Sequence, residues 1–419
     1  MPVPAVGSHG LCLESLLHLT GLFIFPMGAT IQTSRRNLTG LFSAALDDLR
    51  HPPKGQIPFL DGLRTIAILL VVNAHSSAQF VLRWGPNWFS RLSGSRVGWT
   101  GVDLFFVLSG FFIGGQLWRE IDRTNKVDVG RFVLRRGFRI WPLYFFIFLA
   151  VQAIALFAGH SLAGKQYGWS DLVFLTNYSS HGIVMGSWSL CTEEQFYIVV
   201  PLFLAFFAPR VARIAAYRRW LWIVLAIFPV IRATVWIASL HHFFVHSPLV
   251  FSYLYYPSIT HCDGLIAGLI ISNLAAEAKT RGEDSIFHKV APGWILLAAL
   301  VLGGGIYALQ REVFDFSTLA IVFGAVAWFG IRKNSRIFNS RIFYWISRLS
   351  YGMYLNHEYF CPWMARSVMP RFTFLTHALA LANMVDLSLL TLLSIALSLV
   401  TFCLVEHPFL EMRKRMLGH

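Results

Sequence analysis

The sequence predicts an all-α, polytopic membrane protein: a bundle of about ten transmembrane helices with both termini in the cytoplasm. Of its 419 residues 56% are hydrophobic and only 13% are charged, and the mean hydropathy of +0.57 lies outside the usual range of soluble enzymes. Windows of about twenty residues with few or no charges recur along the chain, as membrane-crossing helices require. The basic residues gather in alternate connections between these windows.

Ten windows qualify as predicted spans: 60–80, 101–117, 138–158, 187–208, 219–240, 256–275, 291–309, 316–332, 348–367 and 383–406. An eleventh window, 11–30, is weaker because it contains Glu14 and His18. We therefore expect residues 1–56 to be an N-terminal extension. Within it, 11–30 is an interfacial helix, an extra span, or a stretch upstream of a start at Met27.

The formal net charge of +14 acts as an orientation signal. If residues 31–59 are cytoplasmic, the alternate segments on that side hold 24 of the 35 Lys and Arg residues, and the positive-inside rule then places both termini inside. This distribution argues against a nucleic-acid partner. The five cysteines are scattered with no Cys-x-x-Cys spacing, so neither disulfides nor a metal site is predicted.

The first predicted span carries ionisable residues where a bilayer makes them costly. Arg64 and His75 are eleven residues apart, so they return to within about 20° of one helix face, about 16 Å apart along the axis. Asp61 lies one turn before Arg64. Ionisable side chains at membrane depth usually have a functional role, and we expect this polar stripe to face the interior of the bundle.

Other spans place polar groups at similar depths. By the predicted orientation, Asp103, Glu193 and Glu194 lie in the outer half of the membrane, and Ser109 beside Gly110 lies at mid-depth, where small residues permit close packing or the approach of a ligand. Asp263 and His357 lie nearer the middle. We expect Ser109, Glu194, Asp263 and His357 to line the site.

The predicted inner ends carry arginines: Arg131, Arg135, Arg136 and Arg139 in the stretch that leads into span three, and Arg348 at the start of span nine. Guanidinium groups bind phosphate bidentately and stay charged, so this cluster suits a polyphosphate ligand. The alternative is a topology signal that also attracts anionic lipid.

Together these positions suit a cytosolic carrier with a phosphate end and a long thin arm, such as acyl-coenzyme A. Histidine can take a proton from a hydroxyl near neutral pH when a carboxylate fixes its tautomer. We expect His75 to be that base, and Asp103 or Glu193 to hold its imidazole. The acceptor would be an alcohol on the outer face.

Several ordered segments resemble the integral-membrane acyltransferase 3 family over about residues 57–411: FLDGLRTIAILLVVNAH, GVDLFFVLSGFFI, RRGFRIWPLY, SWSLCTEEQFYIVVPLF, DGLIAGLI, SYGMYLNHEYF and VEHPF. The resemblance implies a ten-helix bundle that moves an acyl group, commonly acetyl from acetyl-coenzyme A, to a hydroxyl of an extracytoplasmic glycan or a lipid-linked sugar. It implies essential roles for Arg64 and His75, and it assigns the family glutamate to Glu193 and the inner-face arginines to Arg135, Arg136 and Arg139.

We therefore predict a multi-pass membrane O-acyltransferase of a bacterial plasma membrane, with a domain at 57–411, a short cytoplasmic tail at 412–419 and no metal. Direct transfer and an acyl-enzyme both remain open, with Ser76, Ser77 and Ser109 as candidate carriers. Two other functions also remain open. One is a transporter or exporter of a glycan or lipid intermediate, and the other is a sensor that binds an acyl carrier without chemistry.

Overall fold

The computed structural model describes residues 38–53, 55–157, 168–179, 182–210, 214–240, 250–281, 289–309, 311–333, 338–372 and 378–418. The described chain is 87% helical and contains no strand. The expected interfacial helix or extra span at 11–30 lies outside the described residues.

The α-helices are numbered in chain order: α1 Leu38–Arg50, α2 Pro58–Trp84, α3 Thr100–Thr124, α4 Val129–Phe157, α5 Gly168–Leu172, α6 Trp188–Phe207, α7 Ile214–Leu240, α8 Val250–Tyr255, α9 Asp263–Arg281, α10 Pro292–Leu309, α11 Arg311–Arg332, α12 Arg341–Trp363, α13 Leu379–Thr401 and α14 His407–Leu417. Each predicted span overlaps one of these helices. Within the residues listed above, seven helical segments are long and apolar enough to cross a membrane. The prediction of an all-α, multi-pass membrane protein is confirmed.

Local sequence explains where α2, the helix that carries Arg64 and His75, begins and ends. Pro58 occupies its first turn, where the missing N–H costs nothing. Asp61 lies in the first turn and Arg83 in the last, so both charges complement the helix dipole. Gly85 follows with φ of +91°, a conformation that glycine adopts more easily than any other residue.

Helices α3 and α9 pack closely against each other, and glycines make the approach possible. A Cβ on Gly110 would overlap the main-chain oxygen of Leu265, and one on Gly268 would overlap that of Val107. Small residues at such crossings let helix backbones pack closely in membranes. The expected close packing at Gly110 is therefore present.

We expect Gly110→Ala to destabilise the protein. Alanine in a helix interior normally stabilises by about 0.5–1 kcal/mol relative to glycine, but here the added methyl must push α3 and α9 apart, at a cost of about 1–3 kcal/mol. Thermal unfolding in detergent measures the difference. Gly304→Ala on α10 is the matched control, because a Cβ at Gly304 meets nothing within 4 Å. A Gly110→Ala variant as stable as the control would contradict the packing argument.

A buried ion pair ties α7, α9 and α11 together. The Arg232 guanidinium donates to both Asp263 carboxylate oxygens, at 2.8 and 3.0 Å, to the carbonyls of Thr260 and Val313, and to the Ser317 hydroxyl. Arg232 and Asp263 are both fully buried. Asp263, which the sequence analysis expects to line the site, is the counter-ion of Arg232, and its lining role stays a prediction.

The two ends of the described chain meet at the arginine-rich end of the bundle. Asp48 of α1 accepts a hydrogen bond from Arg348 at 2.6 Å. Arg131 and Arg135 of α4 donate to the Leu417 carbonyl, at 2.8 and 3.3 Å. Residues 412–417, expected to be part of a tail, instead form the last turns of α14, which packs against α4.

Candidate active site

A cavity of about 200 Å³ lies between α2, α3, α4, α6 and α12. We call it the bundle cavity. Its lining includes Arg64, Ser109, Arg136, Arg139 and Glu193, five residues singled out from the sequence. Its other lining residues are Val102, Phe105, Phe106, Phe112, Gln116, Ile140, Ser189, Leu190, Tyr197, Ser350, Tyr351 and Tyr354.

Two further cavities share lining residues with the bundle cavity. The basic cavity, about 260 Å³, is lined by Gln116, Arg135, Arg136, Arg139, Arg413, Lys414 and Gly418. The mixed cavity, about 380 Å³, has Asp61, Arg64, Arg119, Arg139 and Arg348 as its charged lining residues. Because Arg136 and Arg139 line both the basic and the bundle cavities, a ligand bound by these arginines can extend in both directions.

Arg136 is held between aromatic rings, and one of its nitrogens is free to bind a ligand. Its guanidinium carbon lies 5.7 Å from the ring centroids of both Phe132 and Tyr197. Its Nη2 is buried and has no hydrogen-bond partner among the residues that the structure describes. Arg64 similarly lies over the Phe112 ring, at 5.2 Å. A buried guanidinium N–H without a partner is costly, and an anionic ligand would satisfy it.

Glu193 accepts hydrogen bonds from two hydroxyls inside the bundle cavity. Ser109 Oγ donates to its Oε1 at 2.8 Å, and Tyr197 OH donates to its Oε2 at 2.5 Å. The expectation that Glu193 holds the His75 ring is not met in the described residues, because the ring hydrogen-bonds His357 instead. Sequence reasoning missed Tyr197, although its spacing of i+4 from Glu193 on one helix would have placed the two side chains together.

His75 instead forms a hydrogen bond with His357, and this bond fixes its tautomer. The two rings are stacked, with His75 Nδ1 2.7 Å from His357 Nε2. His357 Nδ1 lies 2.9 Å from the Met353 carbonyl, which can only accept, so His357 carries its proton there. In the neutral pair His75 Nδ1 must donate, which leaves His75 Nε2 with a lone pair. His75 is partly exposed and His357 is buried.

Asp103 does not contact His75 either. Its Oδ1 lies 2.9 Å from His261 Nε2, and His261 Nδ1 lies 2.7 Å from the Tyr255 carbonyl. The His261 ring stacks on Phe316, at a centroid distance of 3.8 Å, and on Trp188, at 5.6 Å. The predicted role of Asp103 in holding His75 is therefore wrong, since its partner is a buried histidine in an aromatic surround.

The remaining predicted residues divide between the cavity walls and the packing around them. Glu194 Oε2 accepts from Trp141 Nε1 at 3.0 Å, and Glu194 is not part of the bundle cavity lining, which corrects its expected lining role. Arg135 lines the basic cavity. Ser76 donates to Asp386 at 2.7 Å and Ser77 to Asn73 at 3.1 Å. Of the three candidate carriers, only Ser109 lines the bundle cavity.

Among the described residues, no three His, Cys, Asp or Glu side chains cluster as metal ligands.

Tyr354 connects the bundle cavity to the histidine pair. It lines the cavity, and its ring centroid lies 6.0 Å from that of His357. His75 itself is not a lining residue of the cavity. Tyr354 therefore lies beside both the bundle cavity and the histidine pair.

The segment after α5 covers the Tyr354 end of the cavity. Tyr354 OH donates to the Gly186 carbonyl at 2.9 Å, and Asp171 accepts from the main-chain N–H groups of Ile183 and Val184 at 2.8 and 3.1 Å. Burial raises the pKa of the Asp171 carboxyl above its usual range, and these N–H donors oppose the shift. Gly186 has φ of +67°, which favours glycine at this turn.

Comparison with known proteins identifies the class. A family model described as an acyltransferase domain matches residues 57–403, and the chain belongs to this acyltransferase family. The resemblance to the integral-membrane acyltransferase family that was predicted from the sequence is confirmed. No solved structure matches the chain.

Two relatives carry more specific names. The peptidoglycan O-acetyltransferase OatA of Listeria monocytogenes is 24% identical over 325 residues, which cover 72% of this chain and 49% of the relative. The O-acetyltransferase OatA of Staphylococcus aureus is 32% identical over 168 residues, covering 37% of this chain and 26% of the relative. The chain thus aligns with half or less of the length of these relatives.

Proposed function

We propose that the protein transfers an acetyl group from cytosolic acetyl-coenzyme A to a hydroxyl of an extracytoplasmic glycan, with peptidoglycan as the first candidate. The acceptor class is supported by the name of the Listeria monocytogenes relative, a peptidoglycan O-acetyltransferase, and the acetyl group by the names of both relatives. The donor is supported by one observation above all. The basic cavity and the bundle cavity share Arg136 and Arg139, which suits a ligand with a polyanionic end and an uncharged arm.

The donor would bind with its phosphates on the arginines and its pantetheine arm in the bundle cavity. Most of that cavity's surface is apolar, with hydroxyls at Ser109, Ser189 and Tyr354 that can bind the amides of the arm. We also propose the orientation of the bundle in the membrane. Its arginine-rich end, which carries α1 and α14, faces the cytosol.

His75 would take the proton of the acceptor hydroxyl on its unprotonated Nε2 while the hydroxyl oxygen attacks the thioester carbonyl. The carbon–sulfur bond breaks, the ester forms, and coenzyme A leaves as the thiol after accepting a proton. The hydrogen bond from His75 Nδ1 to His357 keeps the lone pair on His75 Nε2 until that nitrogen takes the proton. General-base catalysis of this kind contributes about 10²–10⁴-fold to a rate.

Purified protein in lipid nanodiscs tests the proposal. We expect radiolabelled acetyl-coenzyme A and soluble peptidoglycan fragments to yield an alkali-labile acetyl ester on the glycan, detected by mass. Arg136→Ala should weaken coenzyme A binding about 10- to 100-fold, because it removes charge-assisted hydrogen bonds. Arg123→Ala, an exposed arginine at the end of α3, is the control. Unchanged coenzyme A affinity in Arg136→Ala would contradict the phosphate site.

A further inference from the structure

We infer that Arg413 of α14 binds the 3′-phosphate of coenzyme A, so that the C-terminal helix determines the preference for the complete nucleotide. This inference rests on the proposed donor. It adds a binding residue that lies beyond the matched family region, which ends at residue 403.

Helix α14 packs against α4, the helix that carries the arginines of the basic cavity. The helix starts at His407, with Pro408 in its first turn, and its basic residues fall in the last turn. Its C-terminal carbonyl at Leu417 accepts from Arg131 and Arg135. These two bonds fix the end of α14 over α4, and this position brings Arg413 and Lys414 into the wall of the basic cavity.

The basic cavity carries a strong positive charge. Within the described part of the chain its lining contains five cationic side chains and no carboxylate side chain, whereas Asp61 lines the mixed cavity. Lys414 is paired with Glu411 at 2.6 Å, which reduces its attraction for a ligand. Arg413 is half-buried and has no hydrogen bond or ion pair to any residue that the structure describes. Arg413 therefore contributes an uncompensated charge to the basic cavity.

The order of groups along coenzyme A matches the order of the cavities. From its thiol end the molecule carries an uncharged pantetheine arm, then a diphosphate, then an adenosine with a 3′-phosphate. The bundle cavity would take the arm, and Arg136 and Arg139, shared by both cavities, would bind the diphosphate. Among the basic-cavity residues that are absent from the bundle cavity, Arg135 donates to the Leu417 carbonyl, and Arg413 is the arginine that would bind the 3′-phosphate.

Calorimetric titration of the full chain with coenzyme A and with 3′-dephospho-coenzyme A tests the assignment in phosphatidylcholine nanodiscs. We expect the wild type to prefer coenzyme A by about tenfold or more, as a charge-assisted phosphate contact implies. Arg413→Ala should bind both nucleotides with the affinity that the wild type has for the dephospho form. Arg413→Lys should keep part of the preference, and Arg136→Ala should weaken both nucleotides by a similar factor.

Controls separate this inference from the donor proposal. Arg415→Ala removes an exposed charge from the same helix and should leave the preference intact. Arg413→Gln removes the charge while keeping side-chain length, and serves if the alanine variant does not fold. A preference that survives in Arg413→Gln overturns the inference but leaves the donor proposal standing, whereas a wild type that binds neither nucleotide overturns both.

The headgroup of an anionic lipid also carries a phosphate that would suit the basic cavity. A second titration, in nanodiscs that contain an anionic lipid, distinguishes the lipid from the nucleotide. In nanodiscs containing phosphatidylglycerol we expect the same loss of nucleotide preference in Arg413→Ala. If the substitution changes only the retention of phosphatidylglycerol, and the ratio of the two nucleotide affinities stays constant, the cavity is a lipid site and the inference is overturned.

Discussion

His75→Ala should reduce acetyl transfer to the glycan by about 10²–10⁴-fold, the usual contribution of a general base, while coenzyme A binding is unchanged. The reason is the position of the ring. His75 is not among the lining residues of the bundle or basic cavities, so its loss removes the base without disturbing the phosphate contacts. Steady-state transfer assays and nucleotide titration on the same preparation measure the two effects.

The control for this variant is His51→Ala, which removes an exposed histidine at the arginine-rich end. It should transfer acetyl at the wild-type rate. If His75→Ala retains transfer, the base is another group, and Glu193 with Ser109 in the bundle cavity becomes the leading alternative. A transporter or sensor would have no transfer activity to lose in either variant.

His357→Ala should lower kcat by about 10²-fold, because His75 then loses the acceptor that holds its proton on Nδ1. When a catalytic histidine is held in the wrong tautomer, or when its tautomer is not fixed at all, kcat falls by a large factor. His357→Gln should recover much of the rate, since a glutamine amide oxygen can accept the same proton. The dissociation constant of coenzyme A should stay constant in both variants.

A purely structural role of His357 predicts a different pattern. In that case alanine and glutamine would both lower thermal stability in proportion to activity, and a leucine of similar volume would restore function. Recovery by glutamine and not by leucine identifies His357 as a positioning residue. Recovery by leucine alone would contradict the tautomer argument.

The sequence predicted the helices well because membrane insertion constrains composition directly. Each of the ten windows overlaps a helix, since a span must be long and apolar to satisfy its backbone in lipid. The sequence predicted Arg64, Arg136 and Arg139 at the inner ends, Ser109 at mid-depth and Glu193 in the outer half, whereas the structure brings all five into one cavity. Helical spacing predicted that these side chains face the bundle interior, but it did not predict that they share one cavity.

The pairings between helices could not be predicted. His75 and His357 are 282 positions apart, and Asp103 and His261 are 158 apart, so no spacing rule connects them. The expectation of a carboxylate beside His75 followed from general chemistry. In the structure the His75 tautomer is fixed instead by the His357 imidazole, which is itself bonded to the Met353 carbonyl. Depth alone gave three candidate carboxylates in the outer half and no means of choosing among them.

The C-terminal helix was missed for a different reason. The stretch HPFLEMRKRML is basic and short, and the sequence predicted that the membrane domain ends within it, at residue 411, and is followed by a short tail. Its partner is the Arg131–Arg135 face of α4, to which its last carbonyl is bonded. Such a contact depends on the three-dimensional arrangement of two charged segments, which composition does not encode.

The most direct test of the central claim is a cryo-electron microscopy structure of the protein with a non-hydrolysable acetyl-coenzyme A analogue. We expect the diphosphate to contact Arg136 and Arg139 and the pantetheine arm to lie in the bundle cavity. We expect the acetyl group to lie beyond Tyr354, next to His75 Nε2. Density for the nucleotide away from the basic cavity, or an acetyl group still separated from His75 by Tyr354 and His357, would contradict it.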